Sequence, residues 1–173
     1  MLRRFYPDEY YDSTYGIDFE NEYKNGYRGV IFDIDNTLVE HDADADDRAK
    51  NFINRLKEIG FNVCLLSNNQ KPRVERFNED IGVYYIYNAH KPSRKNYIKA
   101  MEMMHTNKEN TIFVGDQLFT DVFGARRTGI KSYLVKPIGK KEEIQIVLKR
   151  YLEKIVLFFY NRKVKNEENK KGM

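Results

Sequence analysis

The chain has 173 residues, of which 41% are hydrophobic, and it carries a formal net charge of +4. This length suits one domain with a sizeable core, and no apolar run approaches the roughly 20 residues that a membrane-spanning helix needs. The single cysteine, Cys64, excludes an internal disulfide and is typical of a reducing compartment. The first residues lack the apolar segment of a signal peptide, so we expect a cytoplasmic protein.

The positive charge is concentrated at one end of the chain. Residues 140–173 contain ten Lys or Arg and five Glu, a net charge of +5, so residues 1–139 sum to −1. Such a basic end suits contact with anionic lipid or nucleic acid, or serves solubility. The sequence has no zinc-ligand spacing and no base-stacking motif, so a nucleic acid partner is not expected.

The predicted elements alternate along the chain. Residues 1–28 contain many tyrosines without a regular period, and we expect them to wrap over the surface of the domain. Apolar runs bounded by turn residues predict five strands, at 30–32, 61–66, 83–87, 111–114 and 132–135. Apolar residues at helical spacing predict helices at 46–59, 72–81, 92–104, 119–128 and 140–162. Residues 163–173 are polar and basic and are predicted to be disordered.

This alternation predicts the fold class. Strands that alternate with single helices form right-handed crossovers and a parallel sheet covered on both faces. We therefore predict an α/β fold with a doubly wound, mainly parallel, five-stranded Rossmann-like core at 29–139. Ligands of such sheets bind at the carboxyl ends of the strands.

Two carboxylates, Asp33 and Asp35, directly follow the first predicted strand. Two acids at the end of a buried apolar strand repel each other and resist desolvation. A divalent cation would relieve that repulsion, and Mg²⁺ prefers hard oxygen ligands of this kind. The pair therefore indicates a magnesium site.

The segment Asp33-Ile34-Asp35-Asn36-Thr37 resembles the DxDx[TV] signature of the haloacid dehalogenase (HAD) superfamily, most of whose members are phosphatases. Ser67, Lys91 and Asp116, with Asp121 five residues further on, match the other three motifs in order. The resemblance covers residues 29–135. Asn36 stands where many members have glycine. This DxDNT form, the tyrosine-containing segment at 7–11 and the turn at 67–69 are similar to the YqeG family of class IIIA HAD phosphatases, which is related to phosphatidylglycerophosphate phosphatases.

The resemblance implies the chemistry of three carboxylates. Asp33 is the expected nucleophile, which attacks phosphorus to form an aspartyl-phosphate. Asp35 is expected to protonate the leaving alkoxide and then to accept a proton from water. Asp33, Asp116 and the backbone carbonyl of Asp35 are expected to hold Mg²⁺.

The other matched residues are expected to bind the substrate phosphate or support the site. Ser67 and the adjacent backbone N–H groups would hold a phosphoryl oxygen, with Asn68 beside them. Lys91 would neutralise the charge that develops on the transferring group. Thr37 would contact the phosphate or orient Asp33 or Asp35, and Asp121 would position Lys91 or a metal-bound water.

The expected substrate follows from what the sequence lacks. Only residues 38–45 separate the first motif from the next helix, and residues 68–90 hold one short helix and one strand, so no cap domain fits. Capless members of the superfamily generally act on large substrates, and the resemblance favours phosphatidylglycerophosphate. A soluble nucleotide or sugar-phosphate phosphatase, and a noncatalytic phosphate- or RNA-binding protein, are the alternatives.

The last predicted helix offers two interpretations. Its apolar end beside Arg162, Lys163 and Lys165 suits the surface of an anionic membrane, which would make the protein peripheral at the inner membrane face. Alternatively, the helix packs on the sheet and its lysines are solvated.

Overall fold

The computed structural model describes residues 2–139 and 144–171. Its strands are β1 (Glu9–Tyr11), β2 (Gly29–Phe32), β3 (Asn62–Leu66), β4 (Tyr84–Ile86), β5 (Thr111–Gly115) and β6 (Lys131–Val135). Its α-helices are α1 (Phe19–Lys24), α2 (Asp47–Ile59), α3 (Lys71–Asn78), α4 (Arg94–Met104), α5 (Phe123–Thr128) and α6 (Ile144–Lys171).

The strands form one parallel sheet in the order β1-β6-β5-β2-β3-β4. The predicted α/β Rossmann-like class is confirmed, with six strands in place of five. The additional strand, β1, lies within the segment predicted only to wrap over the surface. Glu9–Tyr11 is short and has no buried apolar alternation, and its pairing with β6 comes from a region far along the chain.

The core lies on both faces of the sheet, because side chains of a strand alternate between them. Val30 and Phe32 of β2 pack with Ile53 of α2 on one face. Ile31 of the same strand packs with Tyr97 of α4 on the other. All four residues of β2 are buried, as expected for a central parallel strand. This arrangement fixes the end of β2, where the acidic pair begins.

The last helix differs from its predicted bounds. The structure continues α6 to Lys171, past the predicted end at 162 and into the residues predicted to be disordered. Residues 163–171 contain no Gly or Pro to stop a helix. The predicted start at 140–143 and the final residues 172–173 lie outside the described residues. Within the described part of the chain, no helix has the length and apolar character needed to cross a membrane.

One face of α6 packs beside the carboxyl edge of the sheet. Glu153 is buried and accepts a hydrogen bond from the Leu118 N–H at 2.9 Å, and Val156 packs with Leu118 and Val122. Among the side chains of α6 that the structure describes, the opposite face carries four exposed apolar residues, which we call the apolar stripe: Leu152, Ile155, Phe158 and Phe159.

Candidate active site

The polar residues predicted for the site meet at the carboxyl edge of the sheet. Asp33 follows β2, Ser67 follows β3 and Asp116 follows β5. Because β2 lies between β3 and β5, these strand ends are neighbours. Lys91 reaches them from the loop between β4 and α4, and all four side chains are buried.

Lys91 joins two buried carboxylates. Its Nζ lies 2.7 Å from Asp33 Oδ1 and 2.7 Å from Asp121 Oδ1. Burial by itself lowers the pKa of Lys91, but the charges of Asp121 and Asp33 outweigh burial and hold that pKa above the usual lysine value. Burial raises the pKa of Asp33 to about 7, against the opposing charge of Lys91. Lys91 is therefore a cation at neutral pH, whereas Asp33 needs further positive charge nearby to be fully ionised.

Three buried carboxylates form a cluster suited to a divalent cation. Oxygens of Asp33, Asp116 and Asp121 lie within 4.8 Å of one another. When ionised, the three carry three negative charges, and Lys91 contributes one positive charge. Hard oxygen donors with an excess of negative charge fit a divalent cation such as Mg²⁺. The carboxylate of Asp35 is not part of this cluster. Asp35 could therefore contribute only its backbone carbonyl to a metal bound there.

The turn after β2 explains why asparagine is accepted in the motif. Asn36 has a φ of 61°, in the left-handed region that favours glycine. Asparagine is among the few other residues that adopt this conformation readily. The turn is closed by hydrogen bonds from the Asn36 N–H to the Val39 carbonyl at 2.7 Å and from the Leu38 N–H to the Ile34 carbonyl at 2.9 Å. The replacement of glycine therefore leaves the turn intact.

Asp35 accepts hydrogen bonds from three directions. The Asp42 N–H donates to Oδ1 at 2.7 Å, and Arg73 Nη2 donates to the same oxygen at 2.9 Å. Asn69 Nδ2 donates to Oδ2. His41 Nδ1 lies 4.0 Å from Oδ1. The side chain therefore has a fixed orientation, distinct from that of Asp33.

The remaining predicted residues lie around these carboxylates. The Ser67 hydroxyl is buried and accepts a hydrogen bond from the Asn69 N–H at 3.1 Å. Asn68 Oδ1 accepts from the Lys91 N–H at 2.7 Å, which ties the second motif to the third. The Thr37 hydroxyl lies 3.5 Å from Asp116 Oδ1. The structure thus brings every predicted site residue to one edge of the sheet.

The turn after β5 holds Asp121 against Lys91. A Cβ atom on Gly115 would lie 2.4 Å from Asp121 Oδ2, so only glycine permits this approach. Asp121 Oδ2 also accepts a hydrogen bond from the Gln117 N–H at 3.1 Å. The Tyr97 hydroxyl donates to the carbonyls of Thr120 at 2.9 Å and of Asp121 at 3.2 Å. Asp121 is therefore fixed through both its backbone and its side chain.

Sequence reasoning missed the supporting roles of Asn69, Arg73 and Tyr97. One signal for Arg73 was available, because Arg73 and Phe77 are four residues apart on α3 and share a face. Phe77 is an apolar residue on the buried face of this helix, so a charged residue beside it requires a buried partner. Tyr97 lies on the buried face of α4, and nothing in the local sequence pattern indicates the distant carbonyls to which it donates.

Comparison with known proteins identifies the family. Residues 41–129 match the family described as "Hydrolase: haloacid dehalogenase-like hydrolase". The chain belongs to the haloacid dehalogenase-like hydrolases. It is 36% identical over 165 residues to "Probable phosphatase YqeG" of Bacillus subtilis, covering 94% of this chain and 96% of that protein. The predicted membership of the YqeG family of HAD phosphatases is thereby confirmed, and the protein is a phosphoric monoester hydrolase of this family.

Two further similarities are weaker. The chain is 27% identical over 158 residues to "Phosphatidylglycerophosphate phosphatase 1, chloroplastic/mitochondrial" of Arabidopsis thaliana, covering 80% of this chain and 45% of that protein. The fold is similar to the cobalt-bound deoxy-D-mannose-octulosonate 8-phosphate phosphatase (YrbI) of Haemophilus influenzae, with a TM-score of 0.52 and 20% identity. That match covers 67% of this chain and 70% of the other. HAD phosphatases generally use a divalent metal, and the acidic cluster provides ligands for one.

Proposed function

We propose that Asp33 is the nucleophile of the phosphatase reaction. Asp33 attacks phosphorus, and an aspartyl-phosphate forms as the bond to the leaving oxygen breaks. The contact of 2.7 Å with Lys91 supports this role, because a cation at that position neutralises charge on the transferring phosphoryl group. Asp121 positions Lys91 from the opposite side.

Asp35 serves as the general acid and then as the general base. Asp35 gives a proton to the leaving alkoxide in the first step and accepts one from the attacking water in the second. Ser67, Asn68 and the nearby backbone N–H groups bind phosphoryl oxygens. Thr37 contributes its hydroxyl beside Asp116.

Mg²⁺ is the cofactor that we propose for the acidic cluster. Asp33, Asp116 and the backbone carbonyl of Asp35 would hold it, with Asp121 close by. When bound, the ion offsets the repulsion between a carboxylate nucleophile and a phosphate dianion. The raised pKa of Asp33 supports this proposal, because Asp33 attacks as an anion and burial opposes that charge.

The favoured substrate is phosphatidylglycerophosphate. Support comes from the similarity to a plant protein named as a phosphatidylglycerophosphate phosphatase. A second support is the short path of the chain around the site. Between Asp33 and Lys91, all of which the structure describes, the chain forms only α2, β3, α3 and β4. With no covering domain inserted in that stretch, the site would admit the headgroup of a lipid that stays in its bilayer.

Contact with an anionic membrane through α6 completes the proposal. The apolar stripe of α6 is exposed on the face opposite its packed side, and Phe158 has 63% of its surface exposed. Arg162 and Lys165 follow the stripe in the next turns and are also exposed. Apolar side chains followed by cations suit the boundary of an anionic bilayer. The enzyme would then act as a peripheral protein at the inner membrane face.

Phosphate release from phosphatidylglycerophosphate in mixed micelles tests the chemistry and the substrate together. We expect release with Mg²⁺, none with EDTA, and none from Asp33→Asn. An aryl phosphate such as p-nitrophenyl phosphate serves as the generic control. Turnover of the aryl phosphate alone would refute the lipid substrate and favour a soluble nucleotide or sugar-phosphate phosphatase. Appreciable turnover by Asp33→Asn would refute the nucleophile.

Flotation with vesicles that contain phosphatidylglycerol tests the membrane contact. We expect the wild type to float with the vesicles and the double variant Ile155→Ser/Phe158→Ser to remain behind. Tyr84→Ser is the matched control, because Tyr84 is an exposed aromatic residue on β4, away from α6. Equal flotation of the double variant and the wild type would remove α6 from the proposal without affecting the chemistry.

A further inference from the structure

Arg73 of α3 lies buried against the acid–base residue. Its Nη2 donates to Asp35 Oδ1 at 2.9 Å and to the Ala43 carbonyl at 2.8 Å. Its Nε lies 3.3 Å from Asp42 Oδ1. Only 9% of the Arg73 side chain is exposed. One guanidinium therefore contacts both the carboxylate and the loop that folds over it.

The two oxygens of Asp35 have different partners. Oδ1 is occupied by two donors, Arg73 Nη2 and the Asp42 N–H, whereas Oδ2 faces the amide of Asn69. Arg73 and a backbone N–H only donate hydrogen bonds, so neither accepts a proton from Oδ1. A side-chain amide offers a donor and an acceptor, and Asn69 accommodates Oδ2 with or without a proton by turning over. The proton of Asp35 therefore belongs on Oδ2.

Stability does not account for this arrangement. A buried ion pair often contributes little to stability, because desolvation offsets the attraction. Arg73 Nη1 is buried without a hydrogen-bond partner within the described residues, and an unpaired buried donor lowers the stability of the folded state. Arg76, one turn further along α3, also fastens the loop, through Asp42 Oδ1 at 2.8 Å and Asp44 Oδ1 at 2.7 Å. Anchoring the loop alone does not require a buried arginine.

We propose that Arg73 is a positioning residue that reserves Asp35 Oδ2 as the oxygen carrying the catalytic proton. This rests on the proposed acid–base role of Asp35. In the first step the bond between Asp33 and phosphorus forms and the bond from phosphorus to the leaving oxygen breaks. The electron pair of the broken bond stays on the leaving oxygen, and the proton passes to it from Oδ2. Arg73 holds Oδ1 throughout and thereby fixes the direction of that transfer.

Sensitivity to the leaving group tests this role. The test compares kcat/KM for p-nitrophenyl phosphate, whose phenolate leaves without a proton, with kcat/KM for an alkyl phosphate that the wild type hydrolyses (phosphatidylglycerophosphate or glycerol 3-phosphate). The ratio of these two values reports only the steps up to formation of the aspartyl-phosphate. It is also independent of the fraction of folded enzyme, because that fraction cancels.

Arg73→Met should lower kcat/KM for the alkyl phosphate at least about tenfold more than kcat/KM for the aryl phosphate. The reason is that general acid catalysis contributes about 10²–10⁴-fold and the aryl phosphate does not need it. Arg73→Lys should recover part of the ratio, and serves as the second variant if Arg73→Met does not fold. Arg76→Met is the matched control, and its ratio should equal that of the wild type. The proposal would be overturned if Arg73→Met lowered kcat/KM equally for both substrates. If only Arg73→Lys folds, the same result in that variant would overturn it.

Two reference variants separate this proposal from the proposed function. Asp35→Asn should show the same selective loss as Arg73→Met, and larger. Asp33→Asn should abolish turnover of both substrates. If Asp33→Asn is inactive while Asp35→Asn loses both substrates equally, the nucleophile stands, and the acid role with its positioning by Arg73 is refuted.

Discussion

Asp33 and Asp35 are two residues apart, yet the molecule holds their side chains by different means. Asp33 is fixed from the sheet, because its partner Lys91 and the neighbouring Asp116 follow parallel strands. Asp35 is fixed mainly from outside the sheet: Arg73 and the Asp42 N–H hold Oδ1, and only Asn69, in the turn after β3, reaches Oδ2 from a strand end. The proposed nucleophile therefore depends on the architecture of the fold. The proposed acid–base residue depends mainly on a loop and one helix, which can change without altering the sheet.

Among the residues that hold the two carboxylates, loss of Lys91 should have the largest effect, because Lys91 is the cation in contact with Asp33. Lys91→Met leaves Asp33 and Asp121 buried without their shared cation. We expect kcat/KM to fall by about 10²-fold or more for aryl and alkyl phosphates alike, since removing one group that stabilises developing charge costs about 10²–10³-fold. Steady-state kinetics with circular dichroism to confirm folding provides the measurement.

Lys91→Arg is the control for charge. It keeps the cation but replaces a compact ammonium with a wider planar group, so we expect partial activity. A Lys91→Met enzyme that retained more than a tenth of wild-type activity would show that the Asp33 side works without its cation. A loss confined to alkyl phosphates would show that Lys91 supports proton transfer by Asp35 and not the attack by Asp33.

A single methyl group on Gly115 should disturb the Asp33 side from a distance. In Gly115→Ala the new Cβ atom would meet Asp121 Oδ2 at 2.4 Å, closer than real Cβ contacts. Asp121 must then move away from Lys91. We expect kcat/KM to fall clearly below the wild-type value, by up to about 10²-fold, because small displacements of a supporting group have effects of that size. Overpacking should also lower the free energy of unfolding by about 1–3 kcal/mol.

Gly16→Ala is the matched control for Gly115→Ala. Nothing lies within 4 Å of a Cβ atom at Gly16, and its φ is not in the left-handed region. We expect activity and urea unfolding like those of the wild type. Full activity in Gly115→Ala would mean that Asp121 is not needed to hold Lys91.

The same division separates what the sequence predicts from what it does not. The positions of Asp33, Ser67 and Asp116 follow from strand periodicity and from the rule that parallel strands end at one edge. The two partners of Asp35 Oδ1 follow no such rule. Asp42 and Arg73 lie on a loop and a short helix whose approach to Asp35 depends on tertiary packing. Local patterns therefore predict the residues at the strand ends. They do not predict the contacts that the loop and α3 make with Asp35.

The N-terminal segment shows the same limit. Its tyrosines and hydroxyls have no period, so they predict only a surface segment. In the structure Thr14 Oγ1 donates to the Thr37 carbonyl at 2.7 Å and the Tyr15 hydroxyl donates to the Leu38 carbonyl at 2.5 Å. Both acceptors belong to the turn after β2, which carries Asp35. The segment thus braces the first motif through backbone groups, which a side-chain pattern does not reveal.

Removal of that brace should have the smallest effect and should act on both sides equally. Thr14→Val keeps the shape of the buried side chain but removes its hydrogen bond, which contributes about 1 kcal/mol. We expect the melting temperature to fall by about 2–4 °C and kcat/KM to fall only a few-fold, with the ratio of alkyl to aryl turnover unchanged. Thr111→Val is the control, because its hydroxyl bond to Thr106 lies at the amino end of β5. That variant should lose similar stability and keep full activity. If Thr14→Val changed the ratio of alkyl to aryl turnover, the contact with the Thr37 carbonyl would support Asp35 selectively and not both carboxylates.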